Sequence, residues 1–200
     1  MTPVKLIAVL SKKGGVGKTL ISMGLAQALS ASGHSVAVMD HDPEGSATGW
    51  GFNASERGVT LPYRVIAPVD ALNHTDLAYL VVDTPPNDVP TLQQVATRAE
   101  YIVIPVLPGA GEVDRLQETV AALASVQAKL RPGVQIGFVL NRMENNKLSA
   151  VMPEVMQNLS YPVIAQVPRS VEYQRSFGGL IPDHLTEPFA AVLKELEISA

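Results

Sequence analysis

The sequence predicts an α/β fold in three layers, with a mostly parallel central sheet flanked by helices on both faces. Short β-branched, apolar runs alternate along the chain with stretches of helical spacing. The runs are apolar nearly throughout, as strands covered on both faces are, instead of alternating apolar with polar. The chain has 200 residues with no internal repeat, low-complexity tract or linker, which suits one domain, residues 1–200.

Residues 4–10 form the first strand, and a glycine-rich segment follows it. Residues 20–32 repeat Ile21, Leu25, Ala28 and Leu29 at helical spacing, and Gly33 stands where a helix C-terminus is capped. Residues 35–39 are a second strand, ending at Asp40. Residues 41–62, rich in Gly, Ser and Asn, read as a loop with one short helix, and 63–66 as a third strand. Residues 77–82 make a strand that runs into Asp83 and then Pro85-Pro86. Residues 89–99 read as a helix. Residues 101–106 are a strand with Pro105 near its end, where a missing ladder donor is easier to tolerate. The strongest helical pattern is 112–130, with Leu116, Val120, Leu123, Val126 and Leu130 along one face. Strand 135–140, helix 147–159, strand 163–167 and helix 186–197 complete the order, the last with Phe189, Val192, Leu193 and Leu196 on its apolar side. Strands joined through helices in this way are parallel, with right-handed crossovers. Trp50, Phe52 and Tyr63 read as packing residues.

Composition narrows the functional classes. Apolar residues make up 46% and charged residues 17%, which argues against disorder. There is no cysteine, so disulfides, thiolate metal sites and cysteine-bound iron–sulfur clusters are excluded. No apolar run reaches the length of a membrane span, and the N-terminus lacks a signal-peptide layout, so a cytoplasmic location is expected. A net charge of −4 excludes a chain basic all over but leaves room for a local basic patch. His34, His41, His74 and His184 are scattered, so no zinc site is proposed; without a Gly-x-Ser-x-Gly elbow, serine hydrolase chemistry is unsupported.

The chemistry concentrates between the first strand and the first helix, in Lys12-Lys13-Gly14-Gly15-Val16-Gly17-Lys18-Thr19. Glycines let successive backbone N–H groups turn inward as an anion nest, and the helix N-terminus adds partial positive charge. In such a loop Lys18 reaches the β- and γ-phosphates of a nucleotide and the Thr19 hydroxyl takes Mg²⁺. Gly14 to Thr19, with Leu20 opening the helix, are therefore candidate binders of ATP and Mg²⁺. The alternative is a glycine-rich turn without a ligand. Asp40 and Asp42 follow one strand and Asp83 ends another, at the edge where open α/β sheets bind ligands. The first two read equally, by themselves, as turn formers before Pro43. Asn141-Arg142 and Pro168-Arg169 follow later strands, and each dipeptide has turn chemistry as its alternative.

The usual phosphate loop opens with glycine where this chain has Lys12. What remains, Lys13-Gly14-Gly15-Val16-Gly17-Lys18-Thr19, resembles the deviant loop of the ParA/MinD superfamily, within the P-loop NTPase fold. Asp40-His41-Asp42-Pro43-Glu44-Gly45-Ser46-Ala47-Thr48 is similar to the segment these proteins write Asp-x-Asp-Pro-Gln-Gly-x-Ala-Thr, with Glu44 in place of glutamine. The Asp83-Thr84-Pro85-Pro86 ending is also ParA-like, and the resemblance runs from Val4 to about Pro182. It implies that Lys13 crosses a dimer interface to the partner's ATP and that Asp42 orients the attacking water. It implies too that Asp40 and Asp83 serve Mg²⁺, that Asn141 and Arg142 recognise adenine, and that Pro168 packs near the base.

Carried to the whole chain, the resemblance implies a short ParA-type ATPase, cytoplasmic and nucleoid-associated, with no N-terminal DNA-reading domain. ATP would hold a homodimer that binds DNA without sequence preference, and a ParB-like protein or cargo adaptor would stimulate hydrolysis to position a plasmid, chromosome locus or protein cluster. Arg169, Arg175 and Lys194 are the candidate DNA contacts, with Glu172 standing among them unfavourably. A MinD-like membrane cycle is a second reading, opposed by a tail with Lys194 against Glu195 and Glu197. A metabolic ATPase of the same superfamily is a third.

Overall fold

The computed structural model describes residues 3–68, 76–157 and 159–198, and of residues 110, 113 and 114 the backbone alone. His74 and the last two residues of the tail lie outside the described residues. Seven strands, β1 (Lys5–Val9), β2 (Val36–Asp40), β3 (Arg64–Ile66), β4 (Tyr79–Asp83), β5 (Tyr101–Val106), β6 (Gln135–Met143) and β7 (Val163–Pro168), form one sheet. Their order is β3-β2-β4-β1-β5-β6-β7, and every hydrogen-bonded pair is parallel. β1 lies between β4 and β5, so the connection leaving its C-terminal end opens where the strand order reverses, the crevice that open α/β sheets use for ligands.

The helices are α1 (Lys18–Ala31), α2 (Ser46–Glu56), α3 (Val89–Ala96), α4 (Ala110–Ala124), α5 (Lys147–Met156), α6 (Val171–Arg175) and α7 (Glu187–Glu195). Apolar strands leave both sheet faces to be covered, and two separate core clusters do so. One packs Ile21, Leu25, Trp50 and Phe189 from α1, α2 and α7. The other packs Leu92, Leu116, Leu123 and Met152 from α3, α4 and α5. α1 stops where expected: Gly33 has φ 84°, its N–H reaches the Ser30 carbonyl at 2.9 Å, and the His34 N–H reaches that of Leu29 at 3.1 Å.

α1 and α7 approach closely at Gly24, where an added Cβ would lie 2.5 Å from ring atoms of the fully buried Phe189. Gly24→Ala is therefore expected to destabilise the protein by about 1–3 kcal/mol, because neither helix can retreat without opening the core. Urea unfolding would show this as a lower midpoint at unchanged slope.

Several expectations are corrected. α4 ends at Ala124 rather than 130, so Val126 and Leu130 are off the helix, though Leu130 still packs on the core. Ser125 Oγ bonds back to the Ala122 carbonyl at 2.7 Å and accepts from Gln93 Nε2 at 2.7 Å, a local alternative to another helical turn. The short helix expected within 41–62 is the 11-residue α2, formed despite weak propensity because Ala47, Trp50 and Ala54 are buried. α3 ends at Ala96 and α5 at Met156, both earlier than their apolar patterns. β6 runs on to Met143, which places Asn141 and Arg142 inside the strand's end. α6 was not expected, and Phe52 is 65% exposed, not packed, whereas Trp50 and Tyr63 are buried. No helix among the described residues is long and apolar enough to cross a membrane.

Candidate functional site

The loop between β1 and α1 is bent by two left-handed glycines, Gly15 (φ 73°) and Gly17 (φ 93°). Gly17 is required twice over: a Cβ there would lie 2.1 Å from Asn141 Nδ2. That amide donates to the Val16 carbonyl at 2.7 Å, while Asn141 Oδ1 accepts from the Arg142 N–H at 2.9 Å. Asn141 is buried, so it braces the loop from β6 while keeping one amide hydrogen and one lone pair of its oxygen for another partner. Its neighbour Arg142 is exposed, with φ 58° at an irregularity in the β6–β7 register.

Lys18 is the first residue of α1 and is buried, its ammonium donating to the Lys13 carbonyl at 3.3 Å. Burial lowers its pKa; the carboxylates of Asp83, Asp42 and Glu44 act in the opposite sense. Beside Lys18, Thr19 Oγ1 donates to Asp83 Oδ2 at 2.7 Å, and Ser22 Oγ to Asp83 Oδ1 at 3.3 Å.

Asp40 and Asp83 are register partners on adjacent strands, so two buried carboxyls stand together. Burial, with Asp40 adding to it, pushes the Asp83 carboxyl up to about 6, although the Thr19 bond and Lys18 oppose the shift. The cluster fits Mg²⁺ in its donor set: hard oxygens only, two carboxyls and a hydroxyl, with excess negative charge out of water. Magnesium commonly uses one or two carboxylates and takes its remaining partners from phosphates and waters. Among the described residues, no group of three or more His, Cys, Asp or Glu side chains that could hold a metal ion is found.

A pH dependence follows. The folded-state value of Asp83 lies above its ordinary 3.8, so its protonation favours the metal-free fold. That contribution is complete below pH 3.8 and is lost as pH rises through about 6. Were Mg²⁺ to bind at Asp83 it would have to displace the same proton, and its apparent affinity would then fall by about tenfold per pH unit below the Asp83 value. Calorimetric titration in two buffers of different ionisation heat would read the released proton directly. Asp83→Asn should abolish the release.

Asp40 is less free than expected of a magnesium residue. Its Oδ2 accepts the Thr48 N–H at 2.7 Å and its Oδ1 the Asp42 N–H at 3.2 Å, so it also anchors the N-terminus of α2. Asp42 Oδ1 accepts the Glu44 N–H at 3.0 Å, a turn bond that occupies one oxygen. Lys13 projects to the other side of the loop, where Nζ pairs with Glu112 Oε1 of α4 at 2.5 Å; Arg115 shares that oxygen at 3.6 Å. Lys12 Nζ pairs with Glu118 at 2.7 Å, and its N–H donates to Thr119 Oγ1 at 3.2 Å.

A cleft of about 560 Å³ opens from the loop. Its walls gather Gly17, Thr19, Leu20, Asn141, Arg142, Pro168 and Arg169, expected from scattered sequence positions. Ser46, Trp50, Leu107, Pro108, Glu144, Ser170, Tyr173, Gln174 and Phe177 complete it and were not expected there; Trp50 had signalled only packing. Arg169 forms an ion pair with Glu144, and it belongs to the cleft rim. Arg175 on α6 and Lys194 on α7 are exposed and lie outside the cleft lining.

A family model for the CobQ/CobB/MinD/ParA nucleotide-binding domain matches residues 7–179. The maintenance of carboxysome distribution protein A of Halothiobacillus neapolitanus is 29% identical over 79% of this chain and 76% of its own. The chromosome-partitioning ATPase Soj of Thermus thermophilus is 27% identical over 96% of this chain and 94% of its own. A plasmid partition protein structure from Borrelia burgdorferi bound to AMPPNP superposes with a TM-score of 0.79, at 16% identity, covering 98% of this chain and 99% of that one.

Proposed function

The chain belongs to the CobQ/CobB/MinD/ParA nucleotide-binding family, and from that premise we propose that it is an ATP-hydrolysing switch of ParA type. The observation that carries the reading is the buried Lys18 beside the Thr19–Asp83 hydrogen bond, at the head of a cleft large enough for a nucleoside. Lys18 and the backbone N–H groups of Gly14 to Thr19 hold the β- and γ-phosphates. Thr19, Asp83 and Asp40 are the residues that would hold Mg²⁺, which neutralises developing charge on the phosphates when bound. Asp42 keeps one carboxylate oxygen clear of its turn bond and uses it to orient the attacking water. Phosphoryl transfer needs such positioning and charge neutralisation more than covalent help.

In this reading ATP holds two copies face to face, with Lys13 of each reaching the other's phosphates. The dimer binds DNA without sequence preference through exposed basic residues such as Arg175 and Lys194, and a partner protein stimulates hydrolysis. The names of the two relatives, one concerned with carboxysome distribution and one with chromosome partitioning, support positioning of a cargo as the task.

Gel filtration tests this. A dimer is expected with a non-hydrolysable ATP analogue and a monomer with ADP or no nucleotide; DNA retention should require the ATP state and weaken steeply with salt. Monomers in all states would remove the switch reading, and retention on lipid vesicles instead of DNA would favour a membrane cycle. Asp42→Ala should turn over ATP about 100-fold more slowly or worse and accumulate as the ATP dimer. Unchanged turnover would strip Asp42 of its role.

A further inference from the structure

Lys13 is held at both ends. Its carbonyl accepts from the Lys18 ammonium at 3.3 Å and its N–H donates to Ser11 Oγ at 3.2 Å, which fixes the backbone within the loop. Its own ammonium pairs with Glu112 Oε1 at 2.5 Å, and the two side chains are largely out of water, 26% and 17% exposed. The start of α4 places Glu112 for this contact. The Glu112 N–H donates to the Gly109 carbonyl at 3.0 Å, and its stem lies over Gly109, where an added Cβ would come within 2.8 Å of Glu112 Cγ. A carboxylate in the first turn of a helix is also favoured by the helix dipole. Further along α4, Glu118 pairs with Lys12 at 2.7 Å, but more loosely, being 60% exposed.

We propose that Glu112 is a positioning residue that parks Lys13 on its own subunit and so sets the protein concentration at which ATP-loaded copies pair. This rests on the dimer reading above, in which Lys13 crosses to the partner's phosphates. Lys18 releases the Lys13 carbonyl when it turns to a triphosphate, and the Glu112 carboxylate is then the remaining hold. Lys13 leaves it only when the phosphates of a second copy offer more negative charge. A lone ATP-loaded subunit therefore keeps Lys13 parked, and its turnover stays low until that copy arrives. Arg115, 3.6 Å from the same Glu112 oxygen, keeps the carboxylate paired when Lys13 departs, so neither arrangement strands a charge. Each dimer opens two such contacts, and its apparent affinity falls with the fraction of subunits in which Lys13 is free.

The test is the dimer dissociation constant with AMPPNP, from sedimentation over a range of protein concentrations. Glu112→Gln should tighten the dimer by about tenfold, threefold for each Lys13 released, the scale of a partly exposed ion pair. Glu118→Gln removes the same charge from the same helix but leaves Lys13 alone, and should stay within about twofold of the parent. Acylation of lysine amines, read by mass spectrometry, reports the parking directly. Without nucleotide, Lys13 should react about threefold faster in Glu112→Gln than in the parent, with exposed Lys194 as the internal reference. A Glu112→Gln dimer no tighter than the parent's, an equal gain in Glu118→Gln, or unchanged Lys13 labelling overturns the proposal. A parent that stays monomeric with AMPPNP removes the dimer reading and the proposal with it, whatever the labelling shows. Neither glutamate packs within the core clusters, so both variants should fold; circular dichroism matching the parent's checks this.

Discussion

Lys18→Ala is expected to lower ATP turnover by on the order of 10²–10³-fold and to weaken nucleotide binding with it. The ammonium is buried at the start of α1, where its charge opposes those of Asp83, Asp42 and Glu44. Without it, an incoming triphosphate meets three acidic side chains and no cation in the floor of the loop. Lys18→Arg should not restore activity, because a planar guanidinium is wider than the space a buried ammonium fills. Phosphate release and calorimetric binding measure the two effects. The thermal midpoint should stay close to the parent's, since a desolvated charge contributes little to the empty fold. Near-normal turnover in the alanine variant would contradict the assignment of the loop.

Lys13→Ala is expected to separate binding from hydrolysis. Nucleotide should still bind, since Lys18 and the loop backbone remain, while turnover falls by roughly 10³-fold, the scale of a cationic residue supplied in trans to a phosphoryl group. In the structure the Lys13 ammonium rests on Glu112 of the same chain. It must leave that carboxylate to reach a second subunit, and Arg115, on the same oxygen, stays behind to balance it. The variant should remain monomeric with the ATP analogue on gel filtration. A normal dimer with normal turnover would end the shared-nucleotide picture.

The parts of the site that were legible are those whose chemistry is local. The first strand, the glycines and the helix start lie within one short stretch, and the constraints on Gly15 and Gly17 are backbone constraints visible in residue type. Aspartates closing apolar strands were legible for the same reason. α2 was legible only in part, because its Gly, Ser and Asn residues give weak propensity and its stability comes from Trp50 burial and the Asp40 anchor. The stripe past Ala124 suggested more helix than forms, since a side-chain bond at Ser125 competes with the next turn. Phe52 misled because residue type does not reveal which helix face is turned to water.

By itself the sequence determined that this chain is a parallel α/β domain with a glycine-rich loop between its first strand and first helix. Backbone bending, strand burial and helix spacing depend on near neighbours, and those are written in order. Tertiary structure alone decided what each polar group is spent on. Thr19 finds Asp83 across 64 residues, and Asn141 finds Val16 across 125. Such pairings depend on sheet order and register, which bring strand ends together irrespective of separation along the chain. For that reason Asn141 also braces the loop, and Glu144 and Arg169 meet as an ion pair on the cleft wall.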